Sequence, residues 1–187
     1  MSLITPPVWI APSQPIEGET IRLLPLTAGN IDTLTQVGSN SSIWTYFPVD
    51  LSDREKHAHY LYKMIEMMHA SACFAFVIEE KISGRIAGMT RLFNLFPNNR
   101  QCEVGSWLHP EFWSAGINRE AKKLLLGYCF EILQTIRVQF RTDTRNIRSK
   151  MALEKMGAKY EGVLRAERIL ENGHTRDAAF YSILKGE

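Results

Sequence analysis

The chain has 187 residues, enough for one domain with a sizeable core, and its 45% hydrophobic and 22% charged content is that of an ordinary globular protein. A formal net charge of +2 without any block of like charges argues against nucleic acid as a partner. No stretch approaches the roughly 20 apolar residues of a membrane span, and the Pro-rich start holds no apolar signal core, so the expectation is a cytoplasmic protein with no membrane partner.

Residues 1–19 carry Pro6, Pro7, Pro12 and Pro15 and read as an extended arm, and residues 20–187 as a single domain. Residues 20–26 (T-I-R-L-L-P-L) form the first predicted strand, and a short helix over 30–37 follows. W-T-Y-F-P at 44–48 is an aromatic loop. Ser52-Asp-Arg-Glu55 reads as a capping box that starts a helix running to about His69, with Ala58, Leu61, Ile65 and Met68 on one face. The period then changes from helix to strand. Segments 73–79 and 85–93 flank a Ser83-Gly84 turn, a hairpin signal, and 101–108 (Q-C-E-V-G-S-W-L) is another strand. Ile117, Ala121, Leu124, Leu125, Tyr128, Ile132 and Leu133 keep the 3.6-residue period of one helix. A strand over 136–142 comes next. Asn146 can cap a helix through Met156, with Gly157 suited to the left-handed position after it. Strands 160–170 and 176–184 flank Asn172-Gly173, read as a two-residue type I′ turn. Helices alternating with strands in this order predict one mixed α/β sheet with helices on its faces.

Two groups of polar residues can be set aside. Cys73, Cys102 and Cys129 form no C-x-x-C pair and sit in apolar runs, which predicts buried thiols in a reducing compartment. His57 and His59, two apart on a helix, point in different directions and make a poor metal pair. No metal is expected.

The stretch W-S-A-G-I-N-R-E-A at 113–121 places a small-residue turn directly before a helix. Free N–H groups at such a start attract anions, phosphate above all. No Lys-Ser or Lys-Thr follows Gly116, which excludes a P-loop, and Gly116 stands without the further glycines of a dinucleotide fingerprint.

Four stretches in their order and spacing resemble the GNAT acetyltransferases, and within them the branch of the RimJ/RimL ribosomal-protein N-acetyltransferases. They are I-R-L-L-P-L from Ile21, E-V-G-S-W-L-H-P from Glu103, W-S-A-G-I-N-R-E-A-K from Trp113 and N-I-R-S-K-M-A-L-E-K-M-G-A from Asn146. The resemblance covers nearly the whole chain. It implies a single twisted, mostly antiparallel sheet, acetyl-CoA as co-substrate and an amine as acceptor, in a monomer or homodimer. It also implies that the turn, through backbone amides of Ala115, Gly116, Ile117, Asn118 and Arg119, cradles the pyrophosphate of coenzyme A. The family pattern there is Gln/Arg-x-x-Gly-x-Gly/Ala. This chain departs from it with Trp113 at the first position and Asn118 at the last.

Acetyl transfer from a thioester needs a neutral amine, an N–H donor for the charged carbonyl oxygen and a proton or hydrogen bond for the leaving thiolate. The sequence holds no G-x-S-x-G nucleophile elbow, so direct transfer is expected. By resemblance, backbone groups of Trp107, Leu108 and His109 pair with the pantetheine arm. Glu103 on the same strand is the candidate base, a paired structural glutamate being the other reading. Asn146 and Ser149 match residues that touch the cofactor arm and thiol, and both also suit a helix cap and first turn. Trp44, Tyr46 and Phe47 are either a minor core or the acceptor wall.

An α-amine is roughly one tenth neutral at pH 7, whereas a lysine amine is neutral less than about one part in a thousand. A base therefore matters less for an N-terminal acceptor. The expected acceptor is the α-amine of a protein, peptide or amino acid. The rivals are an aminoglycoside or polyamine acetyltransferase and a non-catalytic acetyl-CoA-binding module.

Overall fold

The computed structural model describes residues 8–187. Eight strands form one sheet: β1 (Ile16–Glu17), β2 (Ile21–Pro25), β3 (Phe74–Glu80), β4 (Ile86–Phe96), β5 (Gln101–Leu108), β6 (Arg137–Asp143), β7 (Lys159–Ile169) and β8 (Thr175–Leu184). Their spatial order is β1-β2-β3-β4-β5-β6-β8-β7. Every neighbouring pair is antiparallel except β5 and β6, which run parallel. That exception opens the molecule. Only Gln101, Cys102 and Glu103 pair with β6, opposite Arg137, Val138 and Gln139, and the two strands then part.

Alternation along the strands sends apolar side chains to both faces, as a sheet covered on each side requires. On one face Leu23, Phe76, Val104, Leu108 and Phe140 meet α3 (Ile117–Gly127) and α4 (Ile147–Glu154), through Ile117, Ala121, Leu125 and Leu153. On the other face Val77, Met89 and Trp107 meet α1 (Ile31–Val37) and α2 (Arg54–His69), through Ile31, Leu34, Leu61 and Met64. The expected α/β class and mostly antiparallel sheet are thus observed.

Three local expectations need correction. The helix after the small-residue turn does not run straight to Leu133. At Gly127 it widens into a π-turn, Tyr128–Ile132, closed by Leu133 N–H to the Tyr128 carbonyl at 3.1 Å. The extra residue keeps Cys129 buried, with its sulfur 3.7 Å from that of Cys102, beyond bonding distance. The cap of α2 is Asp53, not Ser52: its carboxylate accepts from the Lys56 N–H at 2.8 Å. The Asn172-Gly173 turn is not type I′, because only Gly173 has positive φ (80°). Leu170 N–H reaches the His174 carbonyl and Gly173 N–H the Leu170 carbonyl, a three-residue loop with glycine in the left-handed position. Part of the predicted arm, residues 1–7, lies outside the described residues, and the described part packs on the domain. Trp9 is buried and donates to the Leu133 carbonyl at 2.9 Å, and Tyr128 donates to the Ile10 carbonyl at 2.6 Å.

Candidate active site

The turn before α3 is shaped by two left-handed residues, Ser114 (φ 65°) and Gly116 (φ 83°). Gly116 is the residue before the helix and has no side chain to cap it. The first intrahelical bond runs from Glu120 N–H to the Gly116 carbonyl at 3.0 Å. Among the described residues nothing accepts from the N–H groups of Ile117, Asn118 and Arg119. Space over Gly116 is open. Three oriented donors at the positive end of an 11-residue helix, next to the open position at Gly116, have the geometry that anion binding requires. A shallow hollow of about 370 Å³ beside it is lined by Gly18, Glu19, Gly116, Arg119, Glu120, Lys123 and Leu124. Of its acids, Glu120 is turned to the β1–β2 bend, where it accepts from Thr20 N–H at 2.9 Å and from the Thr20 hydroxyl.

Behind the turn lies the mouth of the gap between β5 and β6. Gly88 on β4 lets β5 come close: a Cβ there would collide with the Trp107 carbonyl, and its φ of 154° also excludes a side chain without strain. Trp107 is buried against α1 and α2, with its ring centroid 5.3 Å from that of Trp44. The Leu108 carbonyl accepts from the Trp113 indole at 2.9 Å, and the His109 N–H donates to the Ala87 carbonyl at 2.9 Å. Two of the backbone groups expected to meet a pantetheine arm therefore already have partners. Trp113 does locally what its place in the motif did not foretell, fastening the turn to the end of β5. Arg148 stacks on its ring with the guanidinium carbon 3.4 Å from the centroid.

A second cleft, of about 350 Å³, sits over the gap and is lined by Ser42, Thr45, Tyr46, Trp113, Arg145, Asn146, Ile147 and Arg148. It brings together two sequence candidates, Tyr46 and Asn146. Asn146 also caps α4, accepting from Ser149 N–H at 3.1 Å. Ser149 is half-buried in the first turn, and no hydrogen bond of its hydroxyl exists among the described residues. The aromatic loop is divided. Phe47 is exposed at its edge, and Tyr46 is half-buried. Trp44 is 3% exposed, donates to the Gly38 carbonyl at 2.8 Å and packs edge-on to Phe47 and His57. It lies behind the loop's surface.

Glu103 occupies the last paired position of β5 before the strands part. It is 1% exposed. One carboxylate oxygen accepts from Asn94 at 3.0 Å and Gln139 at 3.3 Å, and Arg141 Nε lies 2.7 Å from the other, off the line of its N–H. Burial pushes this carboxyl above its ordinary pKa, and Arg141 and the two amides only partly offset it. Arg141 also meets Glu167 at 2.5 Å, and Glu167 meets Arg176 at 2.7 Å. Arg176 in turn reaches the Tyr46 carbonyl at 3.4 Å. A chain of buried charges thus runs from the apex of the gap to the aromatic loop. For Glu167 burial acts upward, but the Arg176 bond and the surrounding guanidiniums hold its pKa below the usual range. Sequence reading did not find Arg141, Glu167 or Arg176, which come from three strands and carry no common local pattern.

A parallel pair that parts within an otherwise antiparallel sheet, with a donor-rich helix start at its mouth, is the architecture expected from the resemblance to acetyl-coenzyme A-dependent transferases. An acetyltransferase (GNAT) domain profile matches residues 20–159, and the chain belongs to the GNAT family of N-acetyltransferases, which use acetyl-CoA as co-substrate. It is 36% identical over 104 residues to the Bacillus subtilis protein named "Putative ribosomal N-acetyltransferase YdaF", a match spanning 56% of each chain, so about half the length of that relative. It is 27% identical over 167 residues to the spermidine N(1)-acetyltransferase of Escherichia coli K12, covering 85% of this chain and 83% of that one. Among solved structures, a GCN5-related N-acetyltransferase from Brucella melitensis superposes with a TM-score of 0.85 at 25% identity, over 97% of this chain and 83% of that one. Among the described residues no helix is long and apolar enough to cross a membrane, and no group of three metal-ligating side chains occurs.

Proposed function

We propose that the enzyme acetylates the α-amine of a protein, peptide or amino acid. The observation that carries this reading is the charge of the cleft over the gap. Its lining includes Arg145 and Arg148 and no carboxylate. The acids nearby are already engaged: Asp143 by Arg145 at 2.7 Å, Glu167 by three arginines and Glu103 by Arg141. A polyamine carries several positive charges and needs unpaired carboxylates to replace its water. An N-terminal amine brings one charge and an uncharged backbone. The ribosomal name of the Bacillus subtilis relative agrees with this acceptor, and the name of the spermidine acetyltransferase supplies the rival.

The residues present suit acetyl-CoA, which supplies an activated acetyl thioester and an anionic phosphate end. The amides of Ala115, Gly116, Ile117, Asn118 and Arg119 hold the pyrophosphate. Arg119 and Lys123, beside the open hollow, meet the more distant 3′-phosphate. Trp107, Leu108 and His109 shape the mouth through which the arm enters. Asn146 and Ser149 approach it from α4, the Ser149 hydroxyl being the donor for the departing sulfur. Glu103 accepts the proton of the incoming ammonium. Burial makes it a better acceptor than an ordinary glutamate, while Arg141 keeps it ionised. Tyr46 and Phe47 contact the acceptor, and Trp44 supports them from behind. The three free thiols fit a reducing, cytoplasmic setting.

An acetyl-CoA turnover assay over peptides with varied N-termini, free amino acids, spermidine and an aminoglycoside tests the reading. Turnover of α-amines above the rest is expected. Preference for spermidine overturns the acceptor, and acetyl-CoA binding with no turnover on any amine favours a non-catalytic module.

A further inference from the structure

Beneath the first turn of α3 lies a charge that the proposed chemistry has not used. Lys122 points into the sheet and is 8% exposed. Its ammonium donates to Asn118 Oδ1 at 2.5 Å and lies 3.5 Å from Ser106 Oγ, which shares a 2.8 Å hydrogen bond with the Thr90 hydroxyl. All of these partners are neutral. None of the ion pairs among the described residues includes Lys122.

The elements around it supply no counterion. From β5 and β4 it meets Ser106 and Thr90, and from β2 the apolar Ile21 and Leu23 share its face. Glu103 alternates with Val104 and so lies on the opposite face of the sheet. On α3 itself Glu120 is committed to Thr20, and the remaining charges, Arg119 and Lys123, are of the same sign. Burial alone lowers the Lys122 pKa to about 8. A leucine or methionine would fill this volume without the desolvation cost of an ammonium.

The lysine also fixes its neighbour. An ammonium can only donate, so the Asn118 atom that faces it must be the carbonyl oxygen. The Asn118 NH₂ group is thereby left without a partner among the described residues, on the second residue of a helix whose first three amides are also free. Asn118 stands where the family pattern has Gly or Ala, and Trp113 where it has Gln or Arg.

We infer that Lys122 and Asn118 form a donor unit for the phosphates of coenzyme A, Lys122 supplying the buried countercharge and orienting Asn118 toward the turn. The pair supplies, from within the helix, the polar groups that Trp113 does not bring at the position of Gln or Arg. The inference rests on the assignment of this turn to the cofactor's phosphates. Lys122 is a positioning residue, since it acts through Asn118 and through its field.

The bound anion must stabilise the ammonium, so binding is coupled to protonation. At pH 8 Lys122 is about half charged when free and becomes more fully charged when the phosphates arrive. Acetyl-CoA, which has no free thiol to titrate, is the probe. Calorimetric titration at pH 8 in two buffers of different ionisation enthalpy should show net proton uptake by the wild-type protein. K122M should abolish the uptake and weaken acetyl-CoA at least tenfold. It should leave the affinity for pantetheine, which lacks phosphate, within twofold, and its melting temperature should not fall. A structural lysine would instead lower the melting temperature and leave uptake absent in the wild type. K122Q serves where K122M does not fold. Absence of uptake in the wild type, or K122M binding acetyl-CoA within twofold of wild type, overturns the inference. Failure of the wild-type protein to bind acetyl-CoA at all overturns instead the assignment of the turn.

Discussion

The two ends of the β5–β6 gap are built on opposite principles. At the proposed cofactor end the groups on offer are backbone N–H donors, unpartnered, uncharged and supplied by consecutive residues, 117–119. At the proposed acceptor end they are charged side chains, largely buried and paired, drawn from β5, β6, β7 and β8. A static anion needs only a fixed dipole and hydrogen bonds. An amine that must lose a proton needs groups whose protonation has been tuned, and tuning requires burial and partners. The first end is therefore local and the second collective, and each should fail in its own way.

The acceptor end should show the largest effect. Glu103→Gln keeps size but removes the proposed proton acceptor, so kcat should fall by roughly 10²–10⁴ at neutral pH. The loss should shrink as pH rises toward the acceptor's own pKa, because more amine is then already neutral. A loss equal at every pH would assign Glu103 to positioning, and none at all to a purely structural pairing with Arg141. Next comes the network's frame. Arg176 is 6% exposed and faces Glu167 at 2.7 Å, so Arg176→Met strands a buried carboxylate. Breaking such a pair costs about 3–5 kcal/mol, readable as a lower denaturant midpoint. A change below about 1 kcal/mol would show that Arg141 and Arg168 suffice for Glu167.

The acceptor side should also be the acid-sensitive side. His57 is wholly buried between Trp44 and Trp107, with neither ring nitrogen hydrogen-bonded. Burial lowers its pKa to about 4. Between about pH 6.5 and pH 4 the unfolded chain binds this proton and the folded one does not, so stability falls as pH drops through that window. A shift from 6.5 to about 4 corresponds to about 3 kcal/mol. The stability of His57→Phe relative to wild type should rise as pH falls from about 6.5 to 4, and parallel curves would remove His57 as the cause.

The same contrast decides what could be read in the sequence. Gly116 before an apolar stripe announced the turn because helix starts obey short-range rules, and the sheet followed from period changes that need no partner. The charged network gave no such signal. Arg141, Glu167 and Arg176 are 35 residues apart at their extremes and meet only because β8 lies between β6 and β7. The places of Trp44, left open between core and acceptor wall, and of Lys122, which carried no signal, were illegible for a related reason. Indole and ammonium carry equal weight on a surface or under a helix, and burial is decided by packing that one strand of text does not contain. Even Asn172-Gly173, a strong local cue, chose a three-residue loop, since positive φ at the glycine alone satisfied the strand ends.

The smallest predicted effect belongs to the cofactor end. Gly116 sits at φ 83°, and nothing stands within 4 Å of where its Cβ would be. A substitution there is opposed by backbone strain of order 1–2 kcal/mol and by whatever the new side chain does to the ligand, not by core packing. Gly116→Asp puts a carboxylate beside the three free amides, where it can occupy them and repel phosphate. Acetyl-CoA affinity should fall at least tenfold, about 1.4 kcal/mol, while the melting temperature drops only by what the strain demands. Gly116→Asn separates the causes. Asparagine tolerates the left-handed region and brings no charge, so it should keep most of the affinity that aspartate loses. If calorimetry shows the two variants equally weakened, strain and not charge governs the turn. If neither is weakened with the fold intact, the phosphates bind elsewhere, and the division between a backbone end and a side-chain end has to be abandoned.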